Sequence, residues 1–108
     1  MTPEKAEAEA QAKLEEYLLL IDDVDRRIVA LLNERTAVVE NIGRVKREAQ
    51  LPVYEPKRED QVFANISSAN HGPLTNHSVR GIFERIIDEM RSIQRLRMIQ
   101  KPPEEPKC

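Results

Sequence analysis

The sequence predicts an all-α protein of three helices, which are long, short and medium in chain order. Apolar residues recur at intervals of three and four, and prolines separate the periodic segments. Charged residues make up 33% of the 108 residues and aromatic residues only 4%, a composition typical of helices with solvated faces. A chain of this length forms one small domain.

The first helix is predicted to cover at least residues 14–48. Its apolar face includes one arginine and runs through Ile21, Val24, Ile28, Leu31, Arg35, Val38, Ile42 and Val45. At 1.5 Å per residue this helix is roughly 50 Å long, which is more than a compact domain of this size spans. Residues 1–13 lack an apolar face and are predicted to be an exposed or frayed helical lead-in.

Two prolines in QLPVYEP (50–56) end the first helix, and Pro56 suits the first position of the next. The second helix is predicted over residues 57–70, with Val62, Phe63 and Ile66 as apolar contacts.

The third helix is predicted at about 77–98, after the loop HGPLTN (71–76), with Thr75 or Asn76 as its cap. Its apolar side comprises Val79, Ile82, Phe83, Ile86, Met90 and Ile93. The helical domain is thus predicted over residues 14–100, and the proline-rich residues 101–108 form a predicted disordered tail.

The apolar face of the first helix is longer than the two shorter helices can cover. An uncovered stripe of this length favours aggregation unless a partner buries it. The sequence therefore predicts a homodimer with the long helices side by side.

Several classes of function are disfavoured. A net charge of −2 gives no field that would collect nucleic acid or an anionic membrane, and the apolar run YLLLI (17–21) is too short to span a bilayer. The first residues lack the order of a signal peptide, and the single cysteine, Cys108, suits a reducing cytoplasm. No residue spacing indicates a metal or a nucleotide cofactor.

Five polar residues occupy faces that should be buried: Arg35, Lys46, Arg58, Glu59 and Gln94. Lys46 follows Arg35 by eleven residues, or three turns, so both point the same way, roughly 16 Å apart. Each could be a helix-edge residue whose stem reaches solvent. Together the inward cations outnumber the acids, which favours a small ligand with two carboxylates. With no nucleophile–base pair, such a site would work by stabilising charge.

These motifs resemble the all-helical chorismate mutase family. The similar segments are IDDVDRRIVALLNER (21–35), GRVK (43–46), LPVYEPKRE (51–59) and IFERIIDEMRSIQ (82–94), within residues 14–100. The loop HGPL (71–74) and the residues after it are most similar to the small mutase domains associated with bacterial DAHP synthases. The resemblance implies an intertwined homodimeric helical bundle, no cofactor and a DAHP synthase as a candidate partner.

The implied reaction is the Claisen rearrangement of chorismate to prephenate, on the route to Phe and Tyr. By resemblance, Arg35 and Arg58 bind the substrate carboxylates, and Lys46 and Gln94 donate to the ether oxygen. The substrate is compacted into its reactive conformation while fixed donors stabilise the developing charge. Because Gln94 is neutral, activity should not require acidic pH.

The resemblance also assigns Glu55 and Glu59 to the hydroxyl side of the substrate. It includes Met90 among the substrate contacts, at a position where some members have a small polar residue. One departure concerns Leu18, which stands where the family has an arginine that reaches into the partner's site. The loss of a buried charge pair costs roughly 2–5 kcal/mol, so weak activity is expected.

Three alternatives remain open at this point. The chain could be a non-catalytic or regulatory domain that binds chorismate or prephenate, which Leu18 motivates. It could be a related lyase that releases pyruvate from isochorismate. It could also be a purely structural helical dimer, in which case Arg35 and Lys46 would have no ligand.

Overall fold

The chain forms three helices in the computed structural model, which describes residues 2–99 and contains no strand within that range. They are α1 (Pro3–Glu48), α2 (Pro56–Ala69) and α3 (Asn76–Ile99). The predicted all-α class, with long, short and medium helices, is confirmed. The predicted tail (101–108) and residue 100 of the predicted domain lie outside the described residues.

The C-terminus of α1 is closed by two backbone hydrogen bonds. The Leu51 amide donates to the Lys46 carbonyl at 2.7 Å, and the Gln50 amide donates to the Arg47 carbonyl at 3.2 Å. Gln50 has a φ of 57°, so this is the left-handed residue of a Schellman motif. The motif ends the helix at Glu48 and ties Leu51, the start of the loop that connects α1 to α2, to the Lys46 carbonyl.

Proline begins α2 as predicted, because Pro56 lies at the start of the helix, where a missing amide donor costs nothing. Glu55 precedes it with extended backbone angles, and its side chain makes no capping hydrogen bond. After α2, the Asn70 side chain donates to the Leu74 carbonyl at 2.9 Å and to Asn76 Oδ1 at 2.7 Å. These bonds hold the connection between α2 and α3.

Thr75 is the cap of α3. The Ser78 amide donates to Thr75 Oγ1 at 3.1 Å, which satisfies one of the amides that a helix N-terminus leaves without an intrahelical partner. Asn76, the other predicted candidate, is instead the first helical residue.

The chain divides into two compact units, one ending at Arg35 and one beginning at Thr36. In the first unit every residue from 2 to 31 is exposed. In the second unit α2 packs against α3. Among residues 36–96 of this unit the buried side chains are Val39, Met90 and Gln94, and most predicted apolar positions of α2 and α3 are half-buried. Ile82 differs, since 51% of it remains exposed.

None of the helices within residues 2–99 combines the length and the apolar character that a membrane span requires.

Thr75→Ala should lower the free energy of unfolding by about 1 kcal/mol, because the Ser78 amide loses its acceptor. Urea denaturation at fixed protein concentration measures the change, and Thr75→Ser, which keeps the hydroxyl, is the control. Equal stability of the alanine and serine variants would contradict the capping role.

Candidate functional site

Lys46 lies in the last turn of α1 with its ammonium group turned toward the loop. Only 14% of its side chain is exposed. Nζ donates to the Val53 carbonyl at 3.1 Å and lies 3.9 Å from Glu55 Oε1. The carbonyl and carboxylate lower the cost of partly burying this cation, and they hold it near one position.

Gln94 is the buried polar residue of α3. Its Nε2 donates to the Val39 carbonyl at 3.2 Å, and it is 9% exposed. A Cβ built on Gly43 would lie 3.5 Å from Gln94 Cγ, so the Gln94 side chain packs directly over the Gly43 backbone. Lys46 follows Gly43 by nearly one turn of α1, so its position on the helix is about one turn beyond the point where Gln94 packs.

Met90 fills the space one turn before Gln94 on α3. It is 7% exposed, and the Thr36 hydroxyl donates to its Sδ at 3.3 Å. Thr36, Val39 and Gly43 thus form the surface of α1 that receives Met90 and Gln94. Met90 gives the candidate site an apolar wall, where the prediction placed a substrate contact.

Glu59 lies in the first turn of α2 and pairs with Arg91 of α3. Their side chains are 25% and 22% exposed. The guanidinium carbon of Arg91 also lies 4.9 Å from the centre of the Tyr54 ring. The carboxylate expected to hold a ligand hydroxyl is therefore oriented by a cation from the neighbouring helix.

Arg58 is more accessible than its predicted inward position implies, and Glu55 is also exposed. Arg58 is exposed, and its Nη1 donates to Gln61 Oε1 at 3.3 Å. Glu55 is 45% exposed at the start of α2. Both lie at the N-terminal end of α2, where Glu55 is near Lys46 Nζ and Arg58 contacts Gln61 of its own helix. The inward direction predicted for Arg58 is thus not seen in a single chain.

The two remaining predicted residues belong to the first unit. Arg35 is half-buried at its end, and Leu18 is 58% exposed within it. The second unit therefore contains Lys46, Glu55, Glu59, Met90 and Gln94, while Arg35 and Leu18 belong to the first unit.

This arrangement presents one cation and one neutral amide as donors beside an apolar wall. An ammonium group has three N–H donors and a carboxamide has two, so each has a donor beyond the bond described. Among residues 2–99, no cluster of His, Cys, Asp and Glu could hold a metal ion. The side chains present can bind an anion and stabilise negative charge that develops on an oxygen.

Sequence reasoning missed Arg91, Tyr54 and Thr36. In the sequence Arg91 resembles an ordinary surface residue, three positions after Asp88, with which it also pairs at 3.7 Å. Its main partner, Glu59, lies 32 positions earlier on another helix. No local pattern joins two residues so far apart.

Curated proteins of similar sequence carry the name chorismate mutase. The chain is 33% identical over 89 residues to the bifunctional chorismate mutase/prephenate dehydratase of Pseudomonas aeruginosa, covering 78% of this chain and 24% of that protein. It is 26% identical to the chorismate mutase of Methanocaldococcus jannaschii, covering 77% of this chain and 85% of that protein. The chain thus spans about a quarter of the length of the bifunctional relatives.

Solved structures of similar fold include form II of the chorismate mutase from Thermus thermophilus. It aligns with a TM-score of 0.75 at 32% identity, covering 77% of this chain and 94% of that one. A conserved hypothetical protein from Pyrococcus furiosus aligns with a TM-score of 0.63 at 29% identity, covering 76% of this chain and 95% of that one.

The family model for chorismate mutase type II matches residues 20–95. This range contains Lys46, Glu59 and Gln94, together with all of α2. Since the match covers more than half of the sequence, the family prediction made from the motifs is confirmed, and the chain belongs to the chorismate mutase type II family.

Proposed function

We propose that this protein is a chorismate mutase that converts chorismate to prephenate by an intramolecular rearrangement. The observation that carries the proposal is that two donors within the matched family domain, Lys46 Nζ and Gln94 Nε2, are each held by a backbone carbonyl and largely withdrawn from solvent. Both donors are held by backbone carbonyls, of Val53 and Val39, so they need little reorganisation when charge develops nearby.

The reaction needs no group from the protein to form a bond. One C–O bond breaks and one C–C bond forms within the substrate, and negative charge grows on the ether oxygen as the C–O bond lengthens. Lys46 and Gln94 would donate to that oxygen. Removal of one such preorganised donor from other enzymes costs roughly 10²- to 10³-fold in kcat.

The other predicted residues would hold the substrate in its reactive shape. Arg35 and Arg58 would bind its carboxylates, for which the planar guanidinium is suited. Glu55 and Glu59 would accept from its hydroxyl, and Met90 would pack against its ring. The exposed position of Arg58 fits a residue that closes over a ligand rather than one that is prepositioned.

A homodimer is part of the same proposal, with α1 as its interface. Exposed apolar residues recur along the predicted face of α1, including Ile28 at 47%, Leu31 at 63% and Val38 at 53% exposed. The part of α1 before residue 32 is exposed throughout, so packing within one chain contributes little to its stability. A second copy offers the same periodic stripe in return, since a two-fold interface is self-complementary.

The cellular setting is proposed from cysteine usage. One cysteine in 108 residues suits a reducing cytoplasm. The association with a DAHP synthase rests on the sequence resemblance. The bifunctional relative named above joins the mutase to a prephenate dehydratase instead.

The non-catalytic binding domain is not favoured, because relatives that match most of this chain are named as mutases. A non-catalytic domain would bind chorismate in calorimetry but would not convert it to prephenate. The isochorismate lyase is distinguished by pyruvate release from isochorismate.

Purified protein should consume chorismate, followed by its absorbance, with prephenate confirmed as the product. Leu18→Arg should raise kcat/KM at least about tenfold, because it restores a carboxylate-binding cation by the family pattern. Leu19→Arg is the matched control, since Leu19 is similarly exposed and its charge points about 100° away around the helix.

A fast wild-type enzyme that Leu18→Arg does not improve would show that another group has replaced the missing arginine. An equal rise in kcat/KM for both arginine variants would show that the added net charge, and not the position of the arginine, causes the gain. A lack of turnover in all three proteins would contradict the mutase assignment.

Gln94→Glu should make the reaction depend on acidic pH. A glutamate donates to the ether oxygen only when protonated, so activity should be retained below its pKa and fall about tenfold per pH unit above it. Burial at this position favours the protonated form and raises the pKa of the introduced glutamate above its usual range. The variant should therefore lose activity at a higher pH than the pKa of an exposed glutamate would give. The pH profile of kcat is the measurement, and parallel profiles for wild type and variant would contradict the role of Gln94.

Sedimentation equilibrium should give twice the mass of one chain, and Ile28→Asp should shift the protein toward monomer. A carboxylate in the apolar stripe must either be buried without a partner or keep the interface open. Ala30→Asp is the matched control, because it places the same group on the opposite side of α1. If Ile28→Asp and Ala30→Asp dissociate the dimer to the same extent, the apolar face of α1 is not the interface.

A further inference from the structure

We infer that Arg91 is a positioning residue that fixes the Glu59 carboxylate for substrate binding, with the Tyr54 ring fixing Arg91 in turn. The inference rests on the proposed function, because the ligand that Glu59 would hold is the substrate proposed there. Neither Arg91 nor Tyr54 is among the site residues predicted from the sequence, although both lie within the segments that resemble the family.

The ion pair between Arg91 and Glu59 joins α3 to the first turn of α2. Both side chains are about three-quarters buried, so the pair is less screened by solvent than the exposed pair Arg85–Glu89. A charge-assisted hydrogen bond to one carboxylate oxygen restricts rotation of the whole group. The second oxygen of Glu59 is then presented in a defined direction.

The Tyr54 ring supports the guanidinium group from the loop before α2. Arg91 Cζ lies 4.9 Å from the ring centre, within the range of a cation–π contact. The neighbours of Tyr54 contact Lys46, since the Val53 carbonyl accepts from its Nζ and the Glu55 carboxylate lies nearby. Residues 53–55 therefore link Lys46 and Arg91, and a shift of one affects the surroundings of the other.

Arg91 acts through Glu59 rather than on the substrate itself. Its Nη2 is directed to Glu59 and its Nη1 lies 3.7 Å from Asp88. Asp88 is 64% exposed and holds the guanidinium only weakly. The close partner of Arg91 is thus Glu59 on α2, and its effect on the reaction passes through the position of the Glu59 carboxylate.

The expected kinetic signature is a rise in KM with little change in kcat. A hydroxyl held by Glu59 is bound in both the ground state and the transition state, and loss of such uniform binding raises KM alone. Arg91→Met should raise KM about tenfold and change kcat less than about twofold. Tyr54→Leu should act in the same direction, by about threefold.

Arg80→Met is the matched control for removing a stacked and paired arginine from α3. The Arg80 guanidinium lies 4.1 Å from the Phe63 ring centre, and its Nε lies 3.2 Å from Glu84. It resembles Arg91 in chemistry, but its partner Glu84 has no part in the proposed site. Its removal should leave KM and kcat unchanged.

The test combines steady-state kinetics with a double-mutant cycle. In a Glu59→Gln background, Arg91→Met should raise KM less than about twofold further, because the residue it positions is already altered. Arg91→Lys should restore part of the affinity, since the ammonium keeps the charge but loses the planar contact with Tyr54.

Three outcomes would overturn the inference. An unchanged KM in Arg91→Met, with wild type active, removes the positioning role and leaves the proposed function intact. A lower kcat and melting temperature at constant KM reduces Arg91 to a structural link. Wild type that neither binds nor converts chorismate removes the proposed function and this inference together. If wild type binds chorismate without turnover, the calorimetric Kd takes the place of KM, and a weaker Kd in Arg91→Met supports the inference.

Discussion

The packing of Gln94 against α1 is the contact on which the rest of the site depends. The Gln94 side chain lies over the backbone of Gly43 and donates to the Val39 carbonyl, so it joins α3 to α1 at this point. Met90, one turn earlier on α3, is buried and accepts from the Thr36 hydroxyl. Lys46 follows Gly43 on the same helix.

Burial of polar groups in so small a domain requires that each has a partner. The carbonyl of Val53 serves Lys46, that of Val39 serves Gln94, and Arg91 serves Glu59. No buried side-chain polar atom within the described chain lacks a hydrogen-bond partner. The donors are therefore held by the protein before any ligand arrives, which is the condition under which a fixed dipole stabilises developing charge at low reorganisation cost.

The positions of the helices could be predicted from the sequence because the patterns that mark a helix involve residues close together in the chain. Apolar spacing marked α1, Pro56 marked the start of α2, and Thr75 marked the cap of α3. The site followed only in part. Periodicity identified Lys46 and Gln94 as inward, but it also assigned Arg58 to the interior, where a single chain leaves it exposed. Arg91 was not predicted as a site residue because its orientation depends on Glu59 and Tyr54. These partners lie outside α3, so the apolar periodicity of α3 gives no information about them.

The position of Arg35 connects the proposed assembly to the proposed chemistry. Arg35 stands on the same face of α1 as Leu31 and Val38, both of which are more than half exposed in one chain. A partner helix that covers this stripe would also exclude water around Arg35 and strengthen its attraction for a carboxylate, because charges interact more strongly where the effective dielectric constant is low. The face that a second copy buries for stability would thus be the face that binds the anion. On this argument dimerisation and substrate affinity share one interface, so both should weaken together as the protein is diluted.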